Sequence, residues 1–184
     1  MSQLPEFETE RLFLRGVKLS DAESYEKNFA HYEVIQHLSH HVPWPYPQGA
    51  VKSFLETMVL PELGTERWLW VIFLKENRNE VIGCVDLWRK GVPENRGFWL
   101  AQDHWGKGYM TEAVNPVLEY AFNDLGFEKL VFANALGNAR SRRIKEKTGA
   151  TFLETQPARF VNPDYTEHEL WELTKKNWME FKSR

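Results

Sequence analysis

Cysteine is almost absent from this 184-residue chain, in which Cys84 is the only one. A single cysteine excludes an internal disulfide and a cysteine metal cluster, and its place in an apolar run favours a packing role. The chain also lacks an excess of basic residues, since its formal net charge is −3. No apolar run is long enough to span a membrane. We therefore expect a cytoplasmic protein that binds no metal, nucleic acid or membrane.

Two well-known phosphate-binding signatures are missing as well. The pattern Gly-x-x-x-x-Gly-Lys-Ser/Thr does not occur, and Gly106 and Gly108 are not followed by the third glycine of a dinucleotide fingerprint. A dinucleotide site would also need an acid at the end of the next predicted strand, where Asn134 stands. These absences exclude P-loop nucleotide hydrolysis and Rossmann chemistry.

The chain instead alternates segments typical of strands and helices. Its 42% hydrophobic content and eight tryptophans can form one good core, so residues 1–184 are expected to be a single domain. Strand segments 68–74 and 81–89 form one predicted hairpin, and 151–160 and 167–174 form a second. The other predicted elements are strands 11–15, 96–101 and 129–135, and helices 20–30, 33–38, 48–60, 138–148 and one that ends at 125.

A glycine loop stands between the strand at 96–101 and the long helix that follows it. The loop reads Trp105-Gly106-Lys107-Gly108-Tyr109-Met110-Thr111-Glu112. Glycines allow backbone N–H groups to approach an anion, and a helix N-terminus adds unpaired donors and the positive end of its dipole. The arrangement predicts a pyrophosphate site. The alternative is a tight connection with no ligand.

Three ordered motifs resemble the GNAT superfamily of N-acetyltransferases, and most closely its branch that acetylates the N-terminal alanine or serine of ribosomal proteins. They are residues 8–15, residues 98–100 with 105–113, and residues 138–141 with 146–150. The resemblance implies an α+β, three-layer fold with a mixed, mostly antiparallel twisted sheet, a splayed strand pair and flanking helices. Trp105 and Met110 depart from the superfamily loop pattern, but the phosphates are held by backbone N–H groups.

The resemblance also implies acetyl-CoA as cosubstrate. Asn138 is equally explained as a helix N-cap, the Leu100 side chain as core, and Glu112 as helix support. The superfamily's general-acid tyrosine falls on Lys145, so Ser141 becomes the candidate for protonating the thiolate; the alternative is a plain polar residue. The implied cofactor-binding residues are Leu100, Trp105, Gly106, Lys107, Gly108, Tyr109, Met110, Thr111 and Asn138.

A general base is harder to identify. Asp86 is an acid in an otherwise apolar strand, and burial would raise its pKa toward useful values. The alternative is an outward-facing strand acid. Glu94, His104 and a chain of waters compete for the same role.

The acceptor site is expected at the proline-rich loop within residues 37–46. Trp44 and Tyr46 could stack on a cation or a peptide, or the prolines could simply stiffen surface packing. Basic side chains crowd the last predicted helix and could meet the phosphates of CoA or cover a solvated face; they are Arg140, Arg142, Arg143, Lys145 and Lys147.

The expected reaction is acetyl transfer from acetyl-CoA to a primary amine, foremost a ribosomal-type protein N-terminus. Two alternatives stay open: a small amine acceptor, such as a polyamine, aminoglycoside or amino-acid derivative, and a CoA-binding module without turnover. We expect a monomer or a homodimer.

Overall fold

The computed structural model describes residues 4–91 and 93–184. Residues 1–3 and Val92 of the predicted 1–184 domain lie outside that part. The described strands are β1 (Phe7–Glu8), β2 (Leu12–Gly16), β3 (Arg67–Leu74), β4 (Gly83–Trp88), β5 (Arg96–Leu100), β6 (Lys129–Ala135), β7 (Thr151–Pro157) and β8 (Glu167–Thr174). They form one sheet in the order β1-β2-β3-β4-β5-β6-β8-β7.

Helices flank this sheet on both faces. The α-helices are α1 (Ala22–Phe29), α2 (Tyr32–Ile35), α3 (Ala50–Phe54), α4 (Tyr109–Asn123), α5 (Ala139–Glu146) and α6 (Lys175–Lys182). A π-helical turn, Leu55–Val59, continues α3, and 3-10 turns cover Leu19–Asp21, Leu60–Glu62 and Gln102–His104. Within the described residues, no helix is both long and apolar enough to cross a bilayer.

The core consists of two apolar clusters, one on each face of the sheet. Alternate residues of β3 show the division, because successive side chains of a strand point to opposite faces. Trp68 and Trp70 join the cluster that contains the apolar side of α4. Leu69 and Val71 join the cluster that contains α1, α2 and α3. The sheet is therefore the middle of three layers, as predicted.

The pairing of β5 with β6 is parallel and very short. Register between them is seen at one position, Arg96 opposite Phe132, whereas the other neighbouring strands are antiparallel. Beyond Arg96 the two strands diverge toward the end of β5 at Leu100. The predicted mixed sheet, with one splayed pair, is confirmed.

Most of the predicted elements are confirmed, including both hairpins. The helix predicted at 48–60 begins at Ala50 and changes to π-helical geometry at Leu55. The helix predicted to end at 125 continues through Pro116 to Asn123. Two elements, β1 and α6, have no counterpart in the sequence prediction. In α6 only Trp178 is buried, so the segment carries little hydrophobic periodicity, and its start depends on the Thr174 side chain accepting from the Asn177 N–H.

The beginning of α1 differs from the sequence prediction in its chemistry. The spacing from Ser20 to Glu23 predicts a capping box, but α1 begins at Ala22 after a 3-10 turn. The Asp21 carboxylate accepts from the Lys18 N–H and from the Arg15 guanidinium, each at 2.8 Å. An ion pair with the neighbouring strand has replaced the expected cap.

Candidate active site

A cleft of about 620 Å³ follows the divergence of β5 from β6. The glycine loop stands at its open end, and α5 forms one wall. The opposite wall comes from residues 37–41 and 158–160, two segments that Ser39 and Phe160 join by a β-bridge. Most of the predicted site residues line this cleft: Leu100, Trp105, Gly106, Gly108, Tyr109, Met110, Thr111, Asn138 and Ser141.

The glycine loop has the backbone conformation that an anion site requires. Gly106 and Gly108 have φ angles of 74° and 81°, in the left-handed region that favours glycine. A Cβ added at Gly106 would meet nothing within 4 Å, so the space above the loop is open. Among the described residues, the N–H groups of Gly106, Lys107 and Gly108 have no hydrogen-bond acceptor. With the first turn of α4, they form a series of consecutive backbone donors beside the cleft.

Contacts with the start of β2 hold this loop in place. Arg11 donates to the Lys107 carbonyl at 2.9 Å, lies 4.5 Å from the centre of the Tyr109 ring, and forms an ion pair with Glu112 at 2.8 Å. Burial works to raise the pKa of Glu112, but hydrogen bonds from Thr9 and Arg11 outweigh it and lower the pKa. Glu112 is therefore engaged as an anion in support of the helix.

The end of β5 supplies backbone groups to the cleft. The Ala101 N–H donates to the Ile82 carbonyl, on the side of β5 that faces β4. Because backbone groups of successive strand residues point to opposite sides, those of Phe98 and Leu100 point toward the splay. The Leu100 carbonyl accepts from the Trp105 indole at 2.7 Å. The Leu100 N–H also points toward the splay and is available to a ligand. The Arg140 guanidinium lies 3.8 Å from the centre of the Trp105 ring and continues the wall.

Helix α5 places a serine and a lysine side by side on the cleft. Asn138 is the N-cap of α5, and its Oδ1 accepts from the Ser141 N–H at 3.3 Å. Lys145, one turn further along, donates from Nζ to Ser141 Oγ at 2.8 Å. Burial lowers the pKa of Lys145 well below its usual value, and the charge of Arg96 adds to the effect. Ser141 Oγ accepts from this lysine, so its own proton is free to be donated elsewhere.

The five basic residues of the last predicted helix have separate positions. Arg142 forms ion pairs with Glu146 and Glu169, both at 3.0 Å. The others line the cleft: Arg140, Arg143, Lys145 and Lys147. No sequence pattern indicates that Lys145 is only 1% exposed. Six arginines and lysines but only two glutamates line the cleft, so its electrostatic character suits an anionic ligand.

Four of the predicted site residues do not line the cleft. Lys107 is exposed and does not line the cleft, although its backbone belongs to the loop. Asp86 is buried on β4 and bonded to the Arg67 guanidinium. Burial raises the pKa of Asp86, as predicted, while the hydrogen bonds from Arg67 act in the opposite direction. Trp44 packs on Tyr32, and Tyr46 packs edge-on against Phe29.

Five histidines line the cleft; His40 and His41 are exposed, whereas three are half-buried, namely His37, His104 and His168. Burial lowers the pKa of each of them, so all three are neutral near pH 7 and able to accept a proton. His104 is one of the candidate bases that the sequence suggests. His37 belongs to the loop 37–46 that the sequence predicts for the acceptor, whereas no sequence signal indicates His168, whose place at the cleft arises from the fold. Glu94, another candidate base, also lines the cleft, and burial raises its pKa.

Comparison with known proteins agrees with this geometry. Residues 11–151 match the acetyltransferase (GNAT) domain family. A Bacillus subtilis (strain 168) protein named "Putative ribosomal N-acetyltransferase YdaF" is 34% identical over 85 residues, which are 45% of this chain and 45% of that protein. The matched stretch is thus less than half of that relative's length.

Solved structures share the whole fold. A "putative acetyltransferase" of T. thermophilus has 25% identity and a TM-score of 0.76, covering 100% of this chain and 97% of its own. RimL, a ribosomal L7/L12 alpha-N-protein acetyltransferase solved with coenzyme A, has 18% identity and a TM-score of 0.75, with coverage of 94% and 98%. The family match extends over more than half of the chain. The protein therefore belongs to the GNAT acetyltransferase family, as the motifs at residues 98–113 and 138–150 predict.

Proposed function

We propose that the protein transfers an acetyl group from acetyl-CoA to a primary amine. The observation that carries this proposal is the glycine loop, with its unpartnered N–H groups, at the open end of the splay between β5 and β6. The loop binds the pyrophosphate, and backbone groups of Phe98 and Leu100 bind the pantetheine arm. Arg140 and Arg143 of α5 bind the remaining phosphate of CoA.

Acyl transfer needs a polarised carbonyl, a neutral amine and a proton for the leaving thiolate. The β5 backbone N–H groups facing the splay polarise the thioester carbonyl. Ser141 donates its hydroxyl proton to the leaving sulfur. Lys145 then reprotonates Ser141, since its Nζ lies 2.8 Å from Ser141 Oγ. His37 or His104 takes the proton of the incoming ammonium, because each is neutral at pH 7 and lines the cleft.

We propose a protein N-terminal amine of the ribosomal type as the acceptor. Support comes from the names of YdaF and RimL and from the open wall formed by residues 37–41 and 158–160. We assign the acceptor role to the segment 37–41, because it lines the cleft and Trp44 and Tyr46 do not. Tyr46 packs against Phe29, and Trp44 packs on Tyr32 and is 43% exposed. Trp44 and Tyr46 then affect acceptor binding only indirectly, because their packing fixes the path of the segment 37–41.

A pair of glycine variants tests the CoA site. Gly108→Val places a side chain in the loop, and Gly126→Val is the matched control, because Gly126 also has a positive φ, of 71°, and follows α4 away from the cleft. Both variants carry similar backbone strain, of roughly 1–2 kcal/mol. CoA binding measured by calorimetry should weaken at least about tenfold in Gly108→Val only. Equal affinity in the two folded variants would refute the loop as the pyrophosphate site.

An acceptor panel tests the reaction and its substrate. Thiol release from acetyl-CoA is followed with peptides beginning in alanine or serine, their N-terminally blocked forms, and a set of polyamines and aminoglycosides. We expect release with free peptides and none with blocked ones. Release with small amines alone would overturn the peptide assignment, and tight CoA binding without release from any acceptor would favour a CoA-binding module.

A further inference from the structure

The closed end of the splay holds a buried arginine that no protein group neutralises. Arg96 is 4% exposed, and among the described residues its Nε, Nη1 and Nη2 atoms have no hydrogen-bond partner. Burial lowers its pKa to about 9, so the guanidinium remains charged at pH 7. Phe132 lies 3.6 Å from the guanidinium carbon, but a ring face cannot satisfy five N–H donors. Such a group is suited to bind an anion.

The surroundings of Arg96 supply no ion-pair partner among the described residues. Lys145 is buried beside it and has given its hydrogen bonds to Ser141. Two acids act on Lys145, Glu94 and Glu169, and Glu169 is paired with Arg142. Within residues 4–91 and 93–184, neither acid forms an ion pair with Arg96 or Lys145 at 4.0 Å or less. Burying an unpaired charge is strongly unfavourable unless a ligand supplies the counter-charge.

The position of Arg96 selects which part of a ligand it meets. The glycine loop lies at the open end of the splay, and Arg96 is the last β5 residue that pairs with β6. A CoA thioester anchored at the loop extends along β5 toward the closed end. The group that arrives nearest Arg96 is therefore the acyl chain.

The acceptor approaches from the other side of β5. Trp99 belongs to the same apolar cluster as Val34 and Leu38, close to the segment 37–41. Arg96 and Phe98 alternate with Trp99 and face Phe132 and Lys145 instead. Because the acceptor wall is on the opposite face, a carboxylate on the acyl chain is better placed for Arg96 than one on the acceptor.

We infer that the cleft also accepts acyl-CoA thioesters whose short acyl chain ends in a carboxylate, of the malonyl or succinyl class, with Arg96 binding that carboxylate. The inference rests on the proposed CoA site. In the transfer step the amine nitrogen attacks the thioester carbonyl carbon, a C–N bond forms and the C–S bond breaks. The amine gives up one proton, the sulfur leaves as thiolate and takes one, and the terminal carboxylate is unchanged.

Binding measurements without any acceptor test the assignment. Calorimetry compares CoA, acetyl-CoA, succinyl-CoA and butyryl-CoA, since butyryl has a comparable chain without the charge. The wild-type protein should bind succinyl-CoA at least about tenfold more tightly than butyryl-CoA, as expected for a bidentate guanidinium–carboxylate contact. Arg96→Met should abolish this preference and leave the affinity for CoA itself within about twofold.

The wild-type comparison alone can refute the inference, whatever the variant does. Equal affinity for succinyl-CoA and butyryl-CoA would overturn it. A succinyl preference that persists in Arg96→Met would also overturn the inference. So would an Arg96→Met variant in which only the KM of a carboxylate-bearing acceptor rises, because Arg96 would then bind the acceptor. Failure of the proposed function is a different result, in which the wild-type protein binds none of the four compounds.

Discussion

Removing the Asp86 carboxylate should destabilise the protein rather than disable its chemistry. The Asp86 and Arg67 side chains are 9% and 16% exposed, and the Arg67 Nε donates to both carboxylate oxygens at 3.0 and 3.1 Å. Arg67 also donates to the Met58 carbonyl at 3.3 Å and lies 5.1 Å from the centre of the Phe54 ring. These contacts prevent the guanidinium from swinging into solvent, so Asp86→Leu would leave a buried unpaired cation.

Breaking a buried ion pair by deleting one partner costs about 3–5 kcal/mol. For a chain of this length each kcal/mol lowers Tm by roughly 2–4 °C, so the expected drop is about 10 °C. The control is the double variant Arg67→Met/Asp86→Leu, which removes both charges and should recover most of the loss. The Tm values of the wild type, Asp86→Leu and the double variant are measured by circular dichroism at pH 7.

Thiol release at 20 °C then separates structure from catalysis. If Asp86 is only structural, the folded double variant keeps kcat/KM within about threefold of the wild type, because general bases contribute about a hundredfold or more. A double variant with wild-type Tm and a hundredfold loss of kcat would refute this reasoning and restore Asp86 as the base.

Two further results are expected. Ser141→Ala should lower kcat about a hundredfold with acetyl-CoA affinity within about twofold, because the hydroxyl acts on the leaving group; a loss below about twofold would assign the proton to water. The Tm should fall as the pH drops through about 6.5, because burial lowers the pKa of His37 and His168 in the folded state and the unfolded chain takes up protons first. The variants His37→Gln and His168→Gln should each flatten this decline, and an unchanged slope in both would contradict it.

The cofactor side of the cleft could be predicted from the sequence because it is local. A strand, two glycines and a helix N-terminus are consecutive in the chain, and the geometry at Gly106 and Gly108 follows from residue type. Asn138 as an N-cap is equally local. These features depend on the backbone of adjacent residues, which short-range rules describe well.

The acceptor wall could not be predicted in the same way. Ser39 and Phe160 meet across the chain, and the His40 N–H donates to the Arg159 carbonyl at 3.1 Å. No periodicity indicates that two irregular segments so far apart will pair. The same is true of Asp86, whose partner Arg67 is set by the register of β3 with β4.

Lys145 and Arg96 show why the closed end of the splay could not be predicted from the sequence. A lysine among basic neighbours on a polar helix predicts a solvated face, and an arginine at the first position of a strand predicts an edge. Both are buried, since the divergence of β5 from β6 leaves room for long side chains between them. Burial of a charge is a tertiary property that local patterns do not carry.

The two ends of the splay thus bind the ligand through different groups of the protein. At its open end the ligand meets backbone N–H groups, whose positions follow from chain geometry and change little with side-chain identity. At its closed end it meets the side chains of Arg96 and Lys145, which a single substitution can alter. The choice of acyl group can therefore change while the affinity for CoA stays the same. This separation is the reason that Arg96→Met should alter selectivity among thioesters and leave the binding of CoA intact.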